Sequence, residues 1–304
     1  MDSIRIGTRR SDLARWQAHH VSNLIKSIAP EVETKLILSS SAGDRDRKSD
    51  FQAFAETGVF TKESQAALRS GEVDLVVHSL KDLPTVEEDE LVLAAVPERE
   101  ACEDVLVTAP GVKLGPGHRL GTGSVRRRAQ ALVKWPGIEI VPIRGNVPLR
   151  RRKAAERQGM EATILAKAGL VRLEMMDGEM EELSQHDFPY AVGQGALGIE
   201  TRRDNLELVE LLQKIEDRRA RFEVDAERRI MRALEAGCSL PVGISAHWET
   251  DGLRLRAVVT EVDGSRQIEA EATGGDDPLA LGQEIAEKLL SQGAKAILER
   301  AQVR

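Results

Sequence analysis

The chain is poor in sulfur and in rings. Its 304 residues hold two cysteines, three tryptophans, one tyrosine and five phenylalanines, so aromatics make up 3%. Cys102 and Cys238 are too few for a disulfide framework or a cysteine-rich metal site. The six histidines, at positions 19, 20, 78, 118, 186 and 247, show no metal-ligand spacing, and no metal is expected. Scarce aromatics argue against single-stranded nucleic acid, whose bases stack on such rings. No apolar run approaches the ~18 residues of a membrane span. Met1-Asp-Ser is followed at once by the strand-like Ile4-Arg-Ile-Gly7 rather than by a leader pattern, so a reducing cytoplasm is expected.

What the chain does have is charge, unevenly placed. Eleven Lys and Arg lie between Arg119 and Arg157 against Glu139 and Glu156, a local balance of +9 in a chain of net −7, which leaves −16 elsewhere. An acidic protein that gathers positive charge in one short segment uses it on an anion. Two glycine turns, Gly121-Thr-Gly-Ser124 and Arg144-Gly-Asn146, each follow an apolar run and precede a helix-like stretch with clustered arginines. Helix N-termini and guanidinium forks then converge. The acidic remainder repels a long polyanion. A compact polycarboxylate fits better, because each arginine fork pairs with a planar carboxylate.

Strand-like runs alternate with helical patterns, which predicts an α/β protein. Strands are expected at Ile4–Thr8, Lys35–Leu38, Val73–Val77, Asp104–Thr108, Arg119–Gly121, Ile138–Ile143, Ala162–Leu165 and Leu197–Thr201. Ser11 can cap a helix with an apolar face at Leu13, Trp16, Leu24 and Ile28. Ser40 to Asp50 reads as a polar loop. A long helix over Arg219–Ala236 is expected to stop at Gly237. Strands Val242–Trp248, Leu253–Val259 and Gln267–Ala272, joined by short turns, predict a small antiparallel sheet.

Several segments together resemble the porphobilinogen deaminases, or hydroxymethylbilane synthases. They are Arg5-Ile-Gly-Thr-Arg9 with Ser11, Val59-Phe-Thr-Lys62, Val73 to Pro84 with His78-Ser-Leu-Lys-Asp82, Gly121-Thr-Gly-Ser-Val-Arg-Arg127, Arg144-Gly-Asn146, Ala191-Val-Gly-Gln-Gly-Ala196 and Leu234-Glu-Ala-Gly-Cys-Ser-Leu-Pro241. Each is weak alone; their order and spacing make the set specific. The resemblance implies two periplasmic-binding-protein-like (type II) α/β domains around a cleft and a small C-terminal α/β domain. The expected boundaries are 1–98 with 196–216, then 99–195, then 217–304. It implies head-to-tail condensation of four porphobilinogen molecules, with release of ammonia, onto a dipyrromethane cofactor joined to the protein by a thioether. The linear product is then released by hydrolysis. No nucleic acid, membrane or second subunit is implied.

The resemblance also assigns residues. Cys238 matches the cofactor-bearing cysteine. Read without it, Cys238 lies past a helix C-terminus, where the dipole disfavours a thiolate, and would pass for a small core residue. Asp82 matches the catalytic aspartate, placed to stabilise the cation formed as the amine leaves. Ser79, Lys81, Asp82, Thr122, Ser124, Arg126, Arg127, Arg144, Gly145 and Arg150 match the cofactor-holding groups. Arg9, Ser11, Gln17, Arg172 and Gln194, with Arg144, match the substrate path. Arg128, Arg151, Arg152 and Lys153 have no firm counterpart and fit a solvated helix face. The pattern departs at Thr57, where a lysine is usual, at Gly123 and at Asp12; Arg45, Arg47 and Lys48 could restore charge to the first of these stretches. A different class of function on this fold would be a non-enzymatic polycarboxylate receptor, with no role for Cys238 or Asp82.

Overall fold

A computed structural model describes residues 1–39, 59–237 and 240–302. The expected Ser40–Asp50 loop, Thr57 and Cys238 lie outside the described residues. By internal contacts the chain divides into two compact units, Met1–Glu100 with Gly195–Val224, and Ala101–Gln194 with Asp225–Arg304.

The first unit is built on strands β1 (Ser3–Arg9), β2 (Glu33–Ser39), β3 (Leu75–Ser79), β4 (Leu91–Ala95) and, after the second sheet, β10 (Leu197–Arg202). Their order is β2-β1-β3-β10-β4. Strand β1 runs parallel to β2 and β3, while β10 lies antiparallel between β3 and β4. Helices α1 (Asp12–Ile28) and α2 (Val59–Arg69) belong to this unit. The second sheet uses β5 (Asp104–Thr108), β6 (Arg119–Gly121), β7 (Glu139–Val141), β8 (Ala162–Ala166) and β9 (Met180–Leu183), in the order β7-β6-β8-β5-β9. Here β6 runs parallel to β7 and β8, and β5 lies antiparallel between β8 and β9. Both sheets therefore share one plan: three parallel strands, one antiparallel strand, one edge strand. Helices α3 (Val125–Lys134), α4 (Val147–Ala155) and α5 (Lys167–Arg172) follow β6, β7 and β8 in turn.

Helices α6 (Leu206–Gln213) and α7 (Arg218–Ala233) precede the third sheet, β11 (Val242–Glu249), β12 (Gly252–Thr260) and β13 (Gln267–Gly274). That sheet is antiparallel throughout, and α8 (Pro278–Ser291) and α9 (Ala294–Gln302) pack on it. Two α/β sheets of one topology and a C-terminal antiparallel sheet make up the expected fold class.

The cores follow from the sequence pattern. Ile4, Ile6, Leu75, Val77, Leu197 and Ile199 form one buried face of the first sheet with Ala18, Val21 and Ile25 of α1. Leu106, Leu120, Ala162 and Ile164 do the same in the second, against Ala131, Ile138 and Phe188. Central strands covered on both faces read as continuous apolar runs, which is why they were legible. The edge strands β4 and β9 were not expected; β9 is Met-Glu-Glu-Leu, a charged edge that carries no alternation signal.

Two expectations are corrected. The buried face of α1 is Gln17, Ala18, Val21, Ser22 and Ile25, whereas Trp16 and Ile28 are each 36% exposed. Gln17 and Ser22 are buried because they find partners, Ser79 Oγ at 2.8 Å and Thr34 Oγ1 at 2.7 Å, and a satisfied polar group costs little to bury. Trp16 instead stacks on His20, one turn along. Helix α7 ends at Ala233, not Ala236. Its C-terminal turn is closed by Glu235, in the left-handed region at φ 51°, with the Ala236 N–H donating to the Met231 carbonyl at 2.9 Å. Gly237 is not the residue that stops the helix.

Candidate functional site

In the first unit the candidate groups gather where the parallel strands β1 and β3 end, the usual ligand side of such a sheet. Arg9 closes β1 and is half-buried. Ser11 caps α1, its hydroxyl accepting the Ala14 N–H at 3.3 Å, while the Thr8 hydroxyl donates to the Ala14 carbonyl at 2.9 Å. Gln17, one turn on, donates its amide to Ser79 Oγ at the end of β3 and so ties the two strand exits together.

Asp82 is displayed by its neighbours. Leu80 to Asp82 form a single 3-10 turn, with the Leu83 N–H donating to the Leu80 carbonyl at 3.1 Å. Leu80 and Leu83 are buried among Leu93, Val96, Ala196, Ala220 and Val224. With both leucines anchored, Lys81 is left half-buried and Asp82 exposed. The Leu80 N–H is bonded to the Ala196 carbonyl at 3.0 Å, which fixes the turn against the start of β10. Behind it lies a polar cluster missed in the sequence: Glu200 accepts from Gln65 at 3.0 Å and pairs with His78 Nε2 at 3.0 Å, all buried.

In the second unit three helices begin at the C-terminal edge of the parallel strands. Ser124 caps α3 through the Arg127 N–H at 3.3 Å, and buried Thr122 accepts the Ser124 N–H at 3.1 Å. Asn146 caps α4 through the Leu149 N–H at 3.1 Å. The turn before it needs glycine: Gly145 has φ 119°, and a Cβ there would meet Leu149 at 2.5 Å. Arg150 Nε donates to the Gly145 carbonyl at 2.7 Å and supports this turn, leaving the Arg144 side chain exposed. Arg172 is buried on α5.

Arg126 and Arg127 are deep rather than displayed, 4% and 7% exposed. Both bind Asp104, the first residue of β5, which lies opposite Ala166 at this same edge. Arg126 Nη2 meets Asp104 Oδ2 at 2.7 Å; Arg127 bonds through Nη2 to Oδ1 at 2.7 Å and through Nε to Oδ2 at 3.3 Å. Gln194 adds its amide to Oδ1 at 2.9 Å and to the Cys102 carbonyl at 2.7 Å. The remaining guanidinium contacts are neutral: Gln130 and the Pro189 carbonyl for Arg126, the Ile164 carbonyl for Arg127. Full burial alone would push the Asp104 carboxyl up, but the two arginines override it and hold it well below the usual carboxylate range. Burial, with repulsion from Arg127, lowers Arg126 from its ordinary value, though a guanidinium stays charged at neutral pH.

This cluster is a poor choice for stability alone. Buried ion groups are often no better than apolar packing, and the helix dipole disfavours cations in a first turn. Helix α3 carries arginines there and no acidic residue. Such local conflicts mark functional sites. Asp104 was missed in the sequence because only the sheet brings it to the arginines; an acidic residue opening a strand is a faint signal. Of the arginines without family counterpart, Arg151 is ion-paired with Asp177 at 2.8 Å, and Arg128 and Arg152 are exposed. Lys153 donates to the Arg144 carbonyl at 3.2 Å. No helix among the described residues is long and apolar enough to cross a membrane, and no acidic, His and Cys cluster among them could hold a metal ion.

The family described as "Porphobilinogen deaminase, dipyromethane cofactor binding domain" matches residues 4–210, and "Porphobilinogen deaminase, C-terminal domain" matches residues 221–291. A porphobilinogen deaminase of Pelotomaculum thermopropionicum is 42% identical over 98% of this chain and 96% of its own. One of Moorella thermoacetica is 40% identical over the same shares. Among solved structures, a periplasmic binding protein of Salmonella typhimurium is similar at 17% identity and TM-score 0.42, covering 71% of this chain and 92% of that one. By two family matches and by near-full-length identity, this chain belongs to the porphobilinogen deaminase family.

Proposed function

We propose that this chain is a hydroxymethylbilane synthase, a transferase of tetrapyrrole biosynthesis. It joins four porphobilinogen molecules head to tail, with one ammonia released at each joining. They are added to a covalently held dipyrromethane primer, and water then releases the linear tetrapyrrole. The observation that carries the reading, beside family membership, is the buried arginine cluster. Two guanidiniums share one carboxylate, so the cluster keeps one unbalanced positive charge, and Arg126 Nε is buried with no hydrogen-bond partner among the described residues. Every pyrrole of the growing chain carries carboxylates, so the residues present suit such a group.

When bound, dipyrromethane supplies the free pyrrole carbon to which the first porphobilinogen is joined. The thioether is assigned to Cys238. Carboxylate holding is assigned to Ser79, Lys81, Thr122, Ser124, Arg126, Arg127, Arg144, Gly145 and Arg150. Asp82 is the catalytic group: an exposed carboxylate on an anchored turn, able to accept a pyrrole N–H and to stabilise positive charge as ammonia leaves. Arg9, Ser11 and Arg172 line the substrate path, with Gln17 and Gln194 acting from beneath through Ser79 and Asp104. The polypeptide is assigned three domains, 1–98 with 196–216, 99–195 and 217–304, and works as a cytoplasmic monomer.

Intact mass of the purified protein tests the reading. The expected result is an excess over the sequence mass of two linked pyrrole units, abolished by Cys238→Ser together with activity. An active protein at its sequence mass overturns it.

A further inference from the structure

The arginine pair does not hold itself. Arg126 and Arg127 are consecutive in the first turn of α3, and like charges this close repel. Asp104 spans them. Its Oδ2 takes Arg126 Nη2 and Arg127 Nε; its Oδ1 takes Arg127 Nη2 and the Gln194 amide. Both oxygens are thus engaged twice, and the carboxylate is wholly buried. This arrangement fixes the planes of two guanidinium forks at once. It also sets the charge of the cluster at one positive unit, since the other partners, Gln130 and the carbonyls of Pro189 and Ile164, are neutral.

We propose that Asp104 is a positioning residue for cofactor loading: it orients the Arg126 and Arg127 forks and leaves them matched to a single further carboxylate. This rests on the functional reading above. Without Asp104 the pair would carry two buried positive charges held only through their Nη1 atoms, by Gln130 and the Pro189 and Ile164 carbonyls, with nothing bridging the two forks. With a glutamate the charge would remain, but the added methylene would move the carboxylate off the shared position.

The test follows the conversion of cofactor-free protein to its adduct. Each variant is made in cells unable to synthesise porphobilinogen, then supplied with porphobilinogen, and the adduct is timed by intact mass. Rates are compared at equal folded fraction, measured by circular dichroism. Asp74→Asn is the control, because Asp74 also holds an arginine fork, Arg5, at 2.7 and 3.1 Å, but in the first unit, just before β3 and at the end of that strand away from Ser79. Asp104→Asn is expected to load about 100-fold slower, since misplacement of a binding group by an ångström costs that much. Asp104→Glu, which keeps the charge, is expected to load roughly tenfold slower, as outer partners of binding groups typically do when altered. Asp74→Asn is expected to load at the wild-type rate. If Asp104→Asn cannot fold, Asp104→Glu decides. Loading of the Asp104 variants at the rate of Asp74→Asn overturns the proposal. A wild-type protein that never acquires the adduct overturns the functional reading instead, and is told apart because that arm contains no substitution.

Discussion

Asp104 and Arg127 meet as a two-pronged ion pair, Nη2 to Oδ1 at 2.7 Å and Nε to Oδ2 at 3.3 Å, between the first residue of one strand and the first turn of a helix 23 residues later. Both residues are buried, Asp104 wholly so. The pair is satisfied only when strand β5 and helix α3 are both in place, so it reports directly on the fold of the second unit.

That pair should make stability acid-sensitive. The folded-state pKa of Asp104 is depressed, so its contribution is fully present above the unfolded value of about 3.9. It is lost as pH falls below that value, at about 1.4 kcal/mol per pH unit while only the unfolded chain takes up the proton. At neutral pH Asp104→Asn is expected to cost on the order of 3–5 kcal/mol, as for other broken buried pairs. Denaturant unfolding from pH 7 to pH 2.5 checks the sign: the gap between wild type and variant should be constant above pH ~4 and shrink below it. A gap that widens in acid would mean that Asp104 is protonated in the folded protein.

The arginines should separate by burial. Arg127→Lys keeps charge but cannot reach both Asp104 oxygens and the Ile164 carbonyl. It is expected to lower the thermal midpoint and to leave protein without cofactor; Arg126→Lys should do the same. Arg144 is exposed on the Gly145 turn, so Arg144→Lys should fold and carry cofactor normally, yet accumulate enzyme-bound intermediates. Arg152→Lys should match wild type in all respects. Mass spectra taken during turnover decide: one common ladder of intermediates in all four variants would show that charge alone suffices.

Asp82 should matter to chemistry and not to the fold. It is exposed, and its turn is held by Leu80 and Leu83 rather than by its own carboxylate. Asp82→Asn is expected to leave the thermal midpoint unchanged and to cut turnover by about 10²–10⁴-fold, the usual worth of a positioned acid–base group. Near-normal turnover would reassign Asp82 to a surface role.

The sequence by itself determined the parts whose signal is local. Apolar runs placed the central strands; Ser11, Ser124 and Asn146 marked helix starts; the glycine at 145 marked a turn that only glycine fills. The order of short motifs carried the family. What a sequence window cannot contain is a partner from elsewhere in the chain. The stretch from Arg119 to Arg157 counted as +9, but much of that charge is already matched by residues outside it: Arg119 by Glu161, Arg151 by Asp177, Lys134 by Asp187, Arg126 and Arg127 by Asp104. Likewise the buried face of α1 turned toward Gln17 and Ser22 because Ser79 and Thr34 wait for them across the sheet. Hydrophobicity is a property of a residue and can be read in order. Satisfaction of a buried charge or amide is a property of a pair, and only the tertiary structure decides which pairs exist.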